Sequence, residues 1–448
     1  MKNILNILIR ILNFSVLAFA INSPFILANV PLPLKISVWI VLFAYFVVFN
    51  IFPSAKKYPT LRLKVLGDGA ELILAFWVTC AADVPFVAVC VKRLIEGDTD
   101  YGFYIAYGIV LVLCEAAIFW NGIIRVYLTS VQLRIKHRVL GILFGMIPVA
   151  NLVMLMIIYI KTRREAISET ARAELDKSRH DKMICATKYP ILFVHGVFFR
   201  DSRLMNYWGR IPAALQENGA RVFYGENQSA LSVEDSAKEL ARKIKEIVNQ
   251  TGCGKLNIIA HSKGGLDARY AITKLDCAQY IASLTTINTP HKGCLCAEYL
   301  LNTCKPRLKN FIEKTYNRIF YALGDDNPDF MSAVKCLTNS YCEQFNKDVP
   351  DSPDIMYQSF GSKAKNRRSG RFPLNFSYPV VKKYDGDNDG LVALSSMPWG
   401  ERFTPVYPIG RRGVTHADMI DLNRVDIKGF DVREFYVQML AELKERGY

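Results

Sequence analysis

The sequence predicts two folds in tandem: an all-α domain that spans a membrane and, after a charged linker, an α/β domain built on a mostly parallel sheet flanked by helices. Three observations predict this. Apolar runs long enough to cross a bilayer, which takes about 20 residues, crowd roughly the first 160 of the 448 residues. From Tyr189 onward, short β-rich runs alternate with amphipathic helical segments, the pattern of parallel βαβ units. Between one such strand and helix stands a serine, Ser262, with small residues two positions to either side, Ala260 and Gly264.

Composition narrows the classes further. With 51% hydrophobic and 22% charged residues the chain is too apolar for disorder. Its 11 cysteines are too sparse for a disulfide-stapled scaffold. Most of them (Cys185, Cys253, Cys277, Cys294, Cys296, Cys304, Cys336 and Cys342) follow the apolar region, a usage that suits a reducing compartment at least as well as an oxidising one. Cys294-x-Cys296 is not a zinc spacing. Lys and Arg outnumber Asp and Glu by 56 to 41, a balance that suits either nucleic acid or anionic lipid. These cations are dispersed or flank apolar runs, with no aromatic-interleaved basic motif, so nucleic acid is not expected.

Residues 1–164 read as a transmembrane helical domain of four to five spans. The runs are 4–28, 36–52, 72–91, 105–124 and 139–160. The first, with Lys2 and the triplet Ala18-Phe19-Ala20, also suits a cleavable signal peptide. Because more apolar runs follow at once, it is read as a retained anchor. Asp83 and Glu115 fall inside predicted spans, each without an evident partner, and read as packed or solvated residues. No repeat with matching broken helices supports a transporter. Gly141, Gly145 and Pro148 are placed to break the last run into a re-entrant hairpin.

Residues 165–186 form a charged linker with helix-favouring Ala and Glu, and residues 187–448 the α/β domain. Strands are expected at 191–194, 221–224, 256–260, 283–287 and 355–360. Helices are expected at 233–250, 266–275 and 432–446, the first from the helical spacing of Ala237, Leu240, Ile244 and Ile247.

The run LNIIAHSKGG at 256–265 puts Ser262 at the tip of a strand-to-helix turn, a nucleophile elbow, where close approach of strand and helix admits only small neighbours. A serine needs a base held by an acid. Of the six histidines, His137 lies between membrane runs, His180 in the linker and His261 beside the serine. His195 ends the first strand and His291 follows the strand at 283–287, which leaves His416 late in the chain. Elbow enzymes run in the order serine, acid, histidine, so His416 is the expected base.

The acid must then precede His416, and the run YDGDNDGLV at 384–392 offers Asp385, Asp387 and Asp389. The same residues open like a calcium loop, but the twelfth position is Ser396 rather than glutamate and no helix pair flanks it. Asp389, directly before Gly390-Leu391-Val392 and expected at a strand end, is the chosen acid. Donors for an oxyanion are expected from the backbone N–H of Lys263, the residue after the serine, and of Val197 after His195-Gly196. His195, Gly196 and Gly264 support the site.

These residues resemble those of the secreted bacterial true lipases of the Pseudomonas/Burkholderia type, within the α/β-hydrolase superfamily. The matching runs are YPILFVHG at 189–196, YWGRIPAAL at 207–215, AHSKGG at 260–265, NTPHKG at 288–293, NDGLV at 388–392 and HAD at 416–418. The resemblance implies an α/β-hydrolase fold, a triad of Ser262, Asp389 and His416, and an oxyanion hole at Val197 and Lys263. It also implies a cap or lid, here about 297–346, where Phe311, Ile312, Tyr316, Ile319 and Phe320 form an apolar face. The family's calcium finds a counterpart only in Asp418, since residues 361–378 carry Lys363, Lys365, Arg367 and Arg368 where a second aspartate would stand. No cofactor is therefore expected to be required, with calcium at Asp418 the one candidate. Ala260 replaces the family's usual glycine, and the membrane region has no counterpart in those enzymes.

The chain thus reads as a membrane-anchored serine hydrolase of carboxylic esters, lipid esters by resemblance, whose partners are the bilayer and a lipid or ester substrate. An acyltransferase using the same residues is a second reading, and an idle membrane scaffold retaining the fold a third. Two basic loops (Lys56, Lys57, Arg62, Lys64, then Arg125, Arg134, Lys136, Arg138) alternate with a loop carrying Glu96, Asp98 and Asp100, which puts the N-terminus inside. A full span at 139–160 then delivers the hydrolase domain to the outer face of the plasma membrane, although Lys161, Arg163 and Arg164 follow it directly.

Overall fold

The computed structural model describes residues 2–145, 147, 149–197, 207–322, 324–407 and 410–448. The chain forms two compact units, one ending at Leu175 and the other beginning at Asp176.

The first unit is helical: α1 (Lys2–Ile26), α2 (Leu32–Ile51), α3 (Leu61–Ile95), α4 (Tyr101–Thr129), α5 (Ile135–Phe144) and α6 (Ala150–Arg179), the last continuing past Leu175. Short polar residues start two of them, the Thr60 hydroxyl accepting from the Leu63 N–H and the Asp100 carboxylate from the Phe103 N–H. Phe14, Leu17 and Ile21 of α1 pack with Phe49 of α2, Leu72 and Ala75 of α3 and Ile118 of α4. Among the described residues, four helices are long and apolar enough to cross a membrane: Ile4–Ile26, Leu32–Ile51, Leu61–Ile95 and Tyr101–Thr129.

The structure bears on two readings left open above. The fifth apolar run is divided, as the hairpin reading had it: α5 ends at Phe144, Gly145 caps it by donating to the Ile142 carbonyl, and α6 begins at Ala150. Pro148, the residue singled out as the breaker, lies outside the described residues. Asp83 and Glu115 are packed rather than solvated, and each has the partner that sequence did not show. Both are buried; the Asn22 amide donates to Asp83 (2.7 Å), and the Cys80 thiol to Glu115 (3.4 Å). Such partners are invisible in sequence because Asn22 is 61 residues from Asp83.

The second unit is an α/β sandwich of β1 (Ile191–Val194), α7 (Ile211–Glu217), β2 (Val222–Tyr224), α8 (Val233–Thr251), β3 (Leu256–His261), α9 (Gly264–Lys274) and β4 (Ile281–Ile287). Next come α10 (Leu295–Thr303), α11 (Pro306–Ala322), α12 (Phe330–Lys335) and α13 (Asn339–Asp348), then β5 (Met356–Ser362), α14 (Leu374–Asp385), β6 (Arg402–Val406) and α15 (Val432–Glu445). All strand pairs are parallel, in the order β2-β1-β3-β4-β5-β6.

Side chains alternate across a strand, so each central strand feeds two cores. Ile191, Phe193, Ile259 and Ile287 pack with Trp208, Ile211, Tyr436 and Leu440 on the α7/α15 side. Leu192, Val194, Ile258 and Ala260 pack with Leu240, Ile244, Ala268 and Ile272 on the α8/α9 side. Because both faces are covered, the strands read as continuous apolar runs rather than alternating ones. The edge strand β6, half exposed and containing Pro405, offered no such run and was not expected.

Candidate active site

The local rule at β3 and α9 is steric. Ser262, directly after β3, has φ of 56°, a left-handed conformation a non-glycine residue adopts only when its surroundings impose it. Its N–H donates to the Ile287 carbonyl at the end of β4 (3.0 Å). A Cβ on Gly264 would sit 2.4 Å from the His195 carbonyl oxygen, and one on Gly196 would sit 2.8 Å from the Ser262 Cβ. Both glycines therefore let the loop after β1 press against the elbow. That contact brings Val197 to the serine's neighbourhood. Among the described residues, neither the Val197 nor the Lys263 N–H is donated to a protein acceptor, and the Ser262 hydroxyl makes no hydrogen bond.

His416 lies in the loop between β6 and α15, and that loop is clamped to α7. Arg210, at the start of α7, donates from its backbone and side chain to both carboxylate oxygens of Asp421 at 2.7–2.9 Å. The His416 Nδ1–H donates to Asp389 Oδ2 at 2.6 Å, and the His416 backbone N–H to the Asp389 carbonyl at 3.0 Å. Asp389 is fully buried; its remaining capacity is filled by the Asn288 amide on Oδ2 (2.7 Å) and by the Leu391 and Val392 N–H groups on Oδ1 (2.9 and 2.8 Å). Four donors thus fix the position of this one buried carboxylate.

The other two candidate acids are committed elsewhere. Asp385 caps α10, accepting from the Leu295 and Cys296 N–H groups at 2.8 Å each. Asp387 is half exposed and pairs with Lys363 at 2.7 Å, whose ammonium holds its carboxyl below the ordinary value. One detail is corrected: Asp389 follows α14 in a loop, not the end of a strand, and this loop joins β5's extension through the Ala364 N–H to the Asn388 carbonyl (2.9 Å).

Three other histidines are each held by a protein group. Both ring nitrogens of His195 lie against carbonyl oxygens, of Gly196 (2.9 Å) and Asn227 (2.8 Å). His261 Nδ1 accepts from the Tyr207 hydroxyl (2.7 Å), which itself accepts from the Gly196 N–H (3.0 Å). Burial and the neighbouring His416, with ring centroids 4.3 Å apart, push His261 well below the ordinary histidine value, so it stays neutral. His291 bonds the Thr286 hydroxyl (2.9 Å) and stacks on Trp399. Tyr207 and Asn288 stand in quoted motifs, but sequence reasoning gave neither a role; their partners lie 54 and 101 residues away.

Asp418 does not fit a calcium site. Arg412 lies against its carboxylate at 2.9 and 3.0 Å, and the Thr415 N–H and hydroxyl donate to it at 2.9 and 2.6 Å. Among the described residues, no group of three or more His, Cys, Asp or Glu is arranged to hold a metal. The expected apolar face of the cap also divides. Phe320 is buried and packs with Val197, Ala230 and Ala333, whereas Phe311 and Ile319 are exposed.

Residues 220–324, which hold β3, Ser262, α9 and β4, match the serine esterase family DUF676. The chain is 28% identical to triacylglycerol lipase 2 of Saccharomyces cerevisiae over 263 residues, covering 54% of this chain and 75% of that protein. It is 31% identical to a triacylglycerol lipase of Burkholderia plantarii over 180 residues, covering 37% of this chain and 49% of that lipase. The chain thus spans about half the length of the Burkholderia relative. Among solved structures it is similar to Staphylococcus hyicus lipase at 17% identity and a TM-score of 0.46, over 58% of this chain and 97% of that one. The second unit has the α/β-hydrolase fold, and the proteins it resembles in sequence are named as esterases and triacylglycerol lipases.

Proposed function

We propose that the second unit hydrolyses lipid esters through an acyl-enzyme on Ser262. Ser262 Oγ attacks the acyl carbon while His416 Nε2 takes its proton. Asp389 holds the imidazole with its other proton on Nδ1 and stabilises the charged form. The N–H groups of Val197 and Lys263 receive the oxyanion. Collapse expels the alcohol, protonated by His416, and water releases the acid by the same route. The observation that carries this reading is the 2.6 Å hydrogen bond from His416 to a buried carboxylate whose other acceptor sites are filled by fixed donors.

A lipid substrate is supported by the named activities of the relatives and by the exposed Phe311, Ile319 and Tyr321 on α11. The test is a panel of a short-chain nitrophenyl ester, a triacylglycerol and a phospholipid, offered to the full chain in detergent. Turnover of the long-chain esters, absent in Ser262→Ala, is expected; hydrolysis of the short ester alone would overturn the lipid assignment.

The helical unit is the anchor in this proposal, and its side differs from the outer-face expectation. That expectation required a full span at 139–160, where the chain instead divides into α5 and α6. Four spans return the chain to the side on which it began. The basic residues before α3 and after α4 share that side, which the excess of Lys and Arg marks as cytoplasmic. The second unit then follows on the cytoplasmic side.

A further inference from the structure

Lys263 contributes more than its backbone. Its side chain is fully buried, with 1% of the residue exposed, directly after the nucleophile. The ammonium lies 2.8 and 3.1 Å from the two carboxylate oxygens of Asp267, one turn along α9, and 2.8 Å from the Ser236 hydroxyl. It also donates to the Ser232 carbonyl at 3.4 Å. Ser232 caps α8 and Ser236 sits in its first turn, so one side chain ties the start of α9 to the start of α8. Asp267 is further faced by His195 and Glu234.

Stability does not account for this arrangement. Replacing a buried ion pair by apolar residues of similar volume is often neutral or stabilising. Position does account for it. A donor serves an oxyanion only if already aimed at it, and a misplacement of about 1 Å can cost roughly 10²-fold in rate. The Lys263 N–H belongs to the residue whose own side chain is held at three points, and Ser262 is left strained beside it.

We propose that the buried Lys263–Asp267 pair, with Ser236, is a positioning device that fixes the Lys263 N–H for the oxyanion, a role that rests on Ser262 being the nucleophile. The test compares the wild-type full chain in detergent with the paired variant Lys263→Met/Asp267→Leu, which removes both charges together. The probes are p-nitrophenyl butyrate turnover and the affinity of a phenylboronic acid, whose tetrahedral adduct presents the same oxyanion. A fall in kcat of roughly 10- to 100-fold, with KM within about threefold and boronate affinity weakened in parallel, is expected. A folded paired variant with wild-type kcat and boronate affinity would overturn the role. If the paired variant does not fold, Ser236→Ala removes one anchor alone, and an unchanged kcat there overturns the role equally. Wild-type protein that neither turns over the ester nor binds the boronate sinks the assignment of Ser262 itself, a distinguishable failure.

Discussion

Asp389 is told from its two neighbours by what it accepts: His416, Asn288 and two backbone N–H groups, against a helix cap for Asp385 and a surface ion pair with Lys363 for the half-exposed Asp387. Asp389→Asn is therefore expected to lower kcat by about 10⁴-fold through the wrong imidazole tautomer. Asp385→Asn should cost only about 1 kcal/mol of stability at the start of α10, and Asp387→Asn almost nothing. Steady-state kinetics on the three variants checks this, and an active Asp389→Asn beside an inactive Asp385→Asn would reverse the assignment. Asp267 supplies a second prediction. Burial pushes its carboxyl from 3.8 up to about 6 despite Lys263. The folded state then holds a proton between about pH 4 and 6 that the unfolded state has released, so this group's contribution to stability falls as pH rises through that window. The paired variant Lys263→Met/Asp267→Leu lacks this titration. Its melting temperature is expected to gain on the wild type from pH 4 to 6 and to run parallel above; parallel curves throughout would contradict the account.

Among the elements, the elbow carries the tightest steric demand. A methyl group on Gly264 meets a backbone carbonyl at 2.4 Å, which has no flexible side chain to yield. Gly264→Ala is expected to cost about 2 kcal/mol by overpacking, roughly 4–8 °C in melting temperature for a domain of this size, and to disturb the His195–Gly196 loop that carries Val197. A variant melting and turning over as wild type does would show that the close approach is not required. This demand is what made the elbow legible: it acts between residues two apart, so Ala260, Ser262 and Gly264 declare it in sequence. The strand Ile191–Val194 was read to the residue, because an all-apolar run buried on both faces has no ambiguous end. β6 was not read, since an edge strand exposes part of itself and tolerates Pro405. The break in the fifth apolar run was suspected from Gly141, Gly145 and Pro148, yet composition alone still counted 139–160 as a span.

At the scale of the whole chain, what sequence concealed is long-range pairing. Asp421 clamps to Arg210 from 211 residues away, and Asn288 reaches Asp389 across 101. No local spacing announces either contact, although both hold the proposed base and acid in place. The count of spans is a property of the same scale. A fluorescent reporter fused after Tyr448 is expected to fluoresce, and a phosphatase fused there to stay inactive, with four spans; phosphatase activity would restore a fifth crossing. The most direct test of the central claim is covalent. The full chain in detergent is treated with a fluorophosphonate and the modified peptide mapped by mass spectrometry. One phosphonyl group on Ser262 is expected, with Ser262→Ala unlabelled, folded and slowed by about 10⁶-fold. Labelling of another serine, or ester turnover that survives in Ser262→Ala, would contradict it.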